Sequence, residues 1–108
     1  MSPRRRGRDR RYVLVYAMSA QAHLKALSAR ERATVVDAVE ERLSFEPARE
    51  TRNRKQMAPN SLDAGFELRL GSLRVYYDVD ESERVVSVLA VGVKDRNRVL
   101  IGGEEVVL

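Results

Sequence analysis

FELRLGSLRVYYDVD, residues 66–80, is the stretch that decides the fold. Phe66, Leu68 and Leu70 alternate with Glu67 and Arg69; Leu73, Val75, Tyr77 and Val79 alternate with Arg74, Tyr76 and Asp78. A period of two marks strands with one buried face. Gly71-Ser72 lies between them, a Gly-X dipeptide suited to a two-residue primed hairpin turn. Such a turn fixes the register: Leu70 faces Leu73, Arg69 faces Arg74, Leu68 faces Val75 and Glu67 faces Tyr76. A slip of one residue would send every side chain to the other face.

Working outward, Asp80–Glu83 supplies the next turn, and Val85–Val93 is apolar on both faces, as a central strand should be. Upstream, Tyr12–Tyr16 is a short β-rich apolar run. Ser19 offers a helix N-cap ahead of Ala20, Leu24 and Leu27. Ser28–Glu31 reads as a capping box that starts a second helix, with Val35, Val39 and Leu43 at helical spacing and Pro47 closing it. Residues 47–62 have no clear period and read as a basic loop, with Arg49, Arg52, Arg54 and Lys55 against Glu50. Residues 94–108 carry no decisive pattern. The fold class is therefore α+β: an N-terminal strand, a two-helix hairpin, then a three-stranded antiparallel meander with the helices on one sheet face.

The predicted hairpin turns Glu67, Arg69, Arg74, Tyr76 and Asp78 away from the helices. Two arginines directly opposed across a ladder are normally destabilising. One reading is a fork that offers bidentate donors to a phosphodiester; the other is a salt-bridged surface in which Glu67 and Asp78 neutralise the arginines. Lys94, Arg96 and Arg98 follow the last meander strand, from where they reach toward the same face.

The 108 residues fit one domain. The first eleven hold six arginines against Asp9, net +5, while the other 97 hold 14 basic and 15 acidic side chains, net −1. The formal charge of +4 thus originates in the first eleven residues. Residues 1–11 read as a basic disordered tail and 12–108 as the domain. There is no cysteine, which excludes disulfides and thiolate metal sites. The single histidine, His23, argues against a His-rich metal site and reads as a helix-surface residue. Gly102-Gly103 lacks the Lys-Ser/Thr of a P-loop. No cofactor and no metal is expected. No apolar run approaches a membrane span and no secretory signal is evident, so the cytoplasm is the expected compartment.

Three stretches together resemble the RelE/ParE toxin superfamily of toxin–antitoxin modules, nearer its RelE branch: FELRLGSLRVYYDVDE (66–81), VVSVLAVGVKDRNRVLIGG (85–103) and NRKQMAPN (53–60). The resemblance spans residues 12–103 in the same element order. It implies a translation-inhibiting toxin that cleaves mRNA in the ribosomal A site without a metal, by attack of the ribose 2′-hydroxyl on the adjacent phosphate. It further implies a cognate antitoxin, the ribosome and mRNA as partners. By position, Arg74 matches the arginine expected on the scissile phosphate, Arg69 falls at a basic position of the preceding strand, and Lys94 at or beside the basic residue after the last. Two positions depart from the pattern: Glu67 stands where many members have a lysine, and Leu100 where many have a tyrosine. Catalytic candidates are therefore Arg74, Arg69, Lys94 and Glu67. RNA-binding candidates are Arg49, Arg52, Arg54, Lys55, Tyr76, Arg96 and Arg98. The alternative is a ParE-like toxin that inhibits DNA gyrase, or a weakly catalytic member that acts by binding its antitoxin.

Overall fold

A computed structural model describes residues 10–108; most of the predicted Arg-rich tail, residues 1–9, lies outside them. The 66–80 hairpin forms as read. β3 (Phe66–Leu70) and β4 (Leu73–Asp80) pair with Arg69 opposite Arg74, Leu68 opposite Val75 and Glu67 opposite Tyr76. Gly71 adopts φ 61°, the position that a type II′ turn reserves for glycine.

β1 (Val13–Tyr16) precedes two helices, α1 (Met18–Ala26) and α2 (Ala29–Leu43). The α2 capping box is present in full: Ser28 Oγ accepts from Glu31 N, and Glu31 Oε1 accepts from Ser28 N, each at 3.1 Å. Two arginines finish the helices. Arg32 donates to Leu24 O and Leu27 O at the end of α1, and Arg54 donates to Arg42 O and Glu46 O at the end of α2. Both helices pack on one face of the sheet. Leu24, Val35, Val39 and Leu43 meet Leu68, Val75, Tyr77, Val86, Val88 and Val91 there.

The sheet is larger than the meander the periodicity revealed. Its order is β2-β3-β4-β5-β6-β7, with β1 on β5. β2 (Arg54–Gln56) lies inside the stretch read as a basic loop, and β6 (Arg98–Ile101) and β7 (Glu104–Val106) extend the sheet through the segment without pattern. Each is only three or four residues long, too short for a period to register. β5 (Val85–Asp95) changes phase: Tyr76 faces Ala90 but Tyr77 faces Val88, which makes Leu89 a bulge.

Beyond the bulge, β5 has an edge problem. β1 takes this edge as far as Val88 and β6 takes it from Gly92, which leaves 89–91 without a strand partner. α1 closes the gap with two side chains one turn apart. Ser19 Oγ donates to Leu89 O at 2.9 Å, and His23 Nδ1 accepts from Val91 N at 3.2 Å. Two expectations are corrected here. Ser19 is not the N-cap, because α1 begins earlier, after Ala17. His23 is not a plain surface residue but part of the sheet's hydrogen bonding.

The opposite sheet face carries a second apolar cluster. Ala64, Tyr76, Ala90 and Ile101 form it, with Met57 and Leu62 from the connection before β3. Tyr76 and its neighbour Tyr77 are both fully buried, on opposite faces, and they differ at their tips. Tyr77 Oη donates to Pro47 O at 2.8 Å, whereas the Tyr76 hydroxyl completes no well-aligned hydrogen bond.

Two measurements follow. Burial pushes the His23 pKa below its ordinary 6.5. As pH falls through that value the unfolded chain takes up a proton that the folded state resists, so His23 subtracts stability on acidification. His23→Leu should cost about 1–3 kcal/mol at pH 7.5 by stranding Val91 N–H, and should flatten the pH dependence between 7.5 and 5.5 in urea unfolding. An unchanged slope would refute the role. By the same method, Tyr77→Phe should lose about 1 kcal/mol and Tyr76→Phe should be neutral or slightly stabilising; the reverse order would show that Tyr76 has a partner.

Candidate functional site

The face of the hairpin away from the helices holds Glu67, Arg69, Arg74 and Tyr76, as strand alternation requires. Lys55 joins them from β2, directly opposite Glu67. Lys94 joins from β5: Arg74 faces Gly92, and Lys94 lies two residues on, so it shares that side. Gly92 is glycine for lack of room. A Cβ there would lie 2.8 Å from both Ile101 Cγ1 and Leu100 O. Four cations and one carboxylate thus share the region.

The two arginines are held differently. Arg69 Nε donates to Glu67 Oε1 at 2.8 Å; the Arg69 side chain is 47% exposed and that of Glu67 only 13%. Arg74 Nη1 donates to Gly71 O at 2.6 Å and Leu73 O at 2.9 Å, so the turn carbonyls hold it. Carbonyl oxygens take a guanidinium's hydrogen bonds but not its charge. The salt-bridged reading therefore holds for Arg69 and fails for Arg74. Asp78, the second expected neutraliser, lies against Gly65 instead, its Oδ1 2.8 Å from where a Cβ would stand. The outcome is an incompletely neutralised cationic face, suited to an anion with several oxygens.

Tyr76 lies under this face. Burial first, then the charge of the adjacent Glu67 carboxylate and its contact with the hydroxyl, push its pKa well up, against opposing pulls from Arg74 and Arg69. The hydroxyl is thus a permanently protonated group within the field of all three charges. Its reading as an RNA-binding residue is corrected, because the residue is 0% exposed and Ala64, Ala90 and Ile101 pack around it. The alternation that identified Tyr76 as outward-facing carried no sign of the connection that covers it.

The remaining candidates divide. Arg49 and Arg52 are exposed, and Arg49 pairs with Glu46 at 3.2 Å. Arg54 is corrected, because it faces the helix side opposite Leu68 and caps α2. Arg98 is likewise turned away: it pairs with Asp95 across the β5–β6 hairpin, on the side opposite Lys94. Arg96 lies in that turn at φ 60°. Leu100 faces Val93, which packs with the helix-side cluster, so it does not border Arg74. Among the described residues no group of three or more His, Asp or Glu is placed to hold a metal.

No protein-family model matches the sequence, and neither does any curated protein. Solved structures do match. A chain of the toxin–antitoxin complex RelBE2 from Mycobacterium tuberculosis is 28% identical over 78% of this chain and 92% of that one, with a TM-score of 0.67. The intact RelBE toxin–antitoxin complex of E. coli gives 25% identity over 79% and 99%, with a TM-score of 0.60. The archaeal RelE–RelB complex of Pyrococcus horikoshii gives 22% over 79% and 97%, with a TM-score of 0.63. A strand, two helices and a mainly antiparallel sheet therefore compose a known architecture: the chain has the RelE-like toxin fold.

Proposed function

We propose that the protein is the toxin of a toxin–antitoxin pair, and that it inhibits translation by cutting mRNA at the ribosome. The observation that carries this reading is the cross-strand pair Arg69 and Arg74 on the open face of a RelE-like fold. Opposed guanidiniums repel each other, and of the two only Arg69 has a carboxylate partner. A phosphodiester in that position would receive donors from both, and Lys94 would add charge from the neighbouring strand.

In the reaction the ribose 2′-oxygen forms a bond to phosphorus while the bond from phosphorus to the 5′-oxygen breaks. A 2′,3′-cyclic phosphate and a free 5′-hydroxyl result. Charge builds on the non-bridging oxygens, where fixed guanidiniums stabilise it. The 2′-hydroxyl must lose a proton, and Glu67 is the carboxylate nearest the fork, though its pairing with Arg69 opposes that role. Arg49, Arg52 and Lys55 contribute a salt-dependent hold on RNA phosphates. An antitoxin with acidic side chains would silence the protein by occupying this face, and the solved relatives in complex with antitoxins favour such a partner. No helix of the described residues is long and apolar enough to cross a membrane.

Primer extension on a reporter mRNA in a purified translation system tests the proposal. Cuts should appear within codons only when ribosomes are present. Arg74→Ala should reduce them by about a hundredfold or more, the usual loss when a donor to developing charge is removed. Intact mRNA at high protein concentration would refute the nuclease reading, and inhibition of gyrase supercoiling that survives Arg74→Ala would replace it.

A further inference from the structure

We propose that Glu67 is a movable counter-ion, holding Arg69 while the site is empty and passing to the buried Tyr76 hydroxyl when a phosphodiester takes Arg69. The proposal rests on the phosphate-binding reading of this face and adds how the site is switched.

Three observations lead to it. Glu67 Oε1 occupies Arg69 Nε at 2.8 Å, so an incoming phosphate must displace the carboxylate. Glu67 is itself mostly buried, its side chain 13% exposed, and a displaced charge there needs a new partner. Directly across the ladder stands Tyr76, fully buried, whose hydroxyl lies beside the Glu67 carboxylate but completes no well-aligned hydrogen bond. A buried donor left in that state is a rare feature and calls for a reason. Cross-strand partners on one face have their Cβ atoms about 5 Å apart, so a side-chain rotation suffices and the backbone need not move. The hydroxyl stays protonated throughout the physiological range, since burial and Glu67 both push its pKa up. It is therefore always a donor to the carboxylate.

The empty site is thus self-neutralised on Arg69, and the poorly satisfied hydroxyl is the cost of that state. In the occupied site the phosphate replaces the carboxylate on Arg69, and Glu67 gains a charge-assisted hydrogen bond from Tyr76. Tyr76 acts through Glu67 and is a positioning residue.

The test is a double-mutant cycle on binding, with a labelled 2′-O-methyl hexaadenylate that cannot undergo 2′-hydroxyl attack, read by fluorescence anisotropy at low salt. Tyr76→Phe should weaken binding about tenfold, the loss of one hydrogen bond to a charged group. Glu67→Ala should tighten it, and in the Glu67→Ala background Tyr76→Phe should change it less than about twofold. Arg74→Ala tests the underlying site separately. If Arg74→Ala loses the probe but Tyr76→Phe does not, the switch is wrong and the phosphate site stands. Equal loss with and without Glu67 would mean that the hydroxyl meets the probe itself, which also overturns the switch. If Arg74→Ala binds as tightly as the unmodified chain, the phosphate site is wrong too.

Discussion

The two-residue turn at Gly71-Ser72 is the constraint on which the rest of the molecule depends. With Gly71 at positive φ the strands leave the turn in one register, which stacks Leu68, Leu70, Leu73 and Val75 toward the helices. The same register forces Arg69 to stand opposite Arg74 on the other side. The core and the cationic face are therefore two consequences of one pairing. A sequence cannot keep the core and relieve the arginines by shifting a strand, because a one-residue slip exchanges the faces. Relief has to be local, and it takes two forms: a carboxylate on Arg69 and turn carbonyls on Arg74.

The second constraint is the bulge at Leu89. It lets β5 place Val86 and Val88 on the helix side before it, and Val91 and Val93 on that same side after it. Ala90 and Gly92 consequently face the other way, small enough for Ile101 and the connection before β3 to close over Tyr76. The bulge also sits where β1 ends and β6 has not begun, and Ser19 and His23 hold that gap. The cationic face is thus built over a small apolar support, with a buried phenol at its centre.

Much of this was legible in the residues. The hairpin register, the capping box and the placement of the helices on one face all rest on local signals, namely a period of two, a Gly-X turn and the Ser28/Glu31 pair. The short strands β2, β6 and β7 were not legible, because each exists only through its neighbour. Strand alternation places Tyr76 on the correct face and in the wrong environment: alternation reports direction, and only the tertiary path of 57–64 reports cover. Arg54 and Arg98 looked like members of a basic surface, yet one caps α2 and the other pairs with Asp95. Charge in a sequence says nothing of which side of a sheet receives it. Nothing local marks Ser19 and His23 as sheet partners, since no sequence pattern announces an edge that a helix must complete.

The central claim is that Arg69 and Arg74 form one anion site. The most direct measurement is an NMR titration of the arginine Nε–Hε resonances with inorganic phosphate. The account predicts that Arg69 and Arg74 shift together along one binding curve, while Arg54 and Arg98, on the other side of the sheet, stay in place. Uniform small shifts at every arginine, or movement of Arg69 without Arg74, would contradict it.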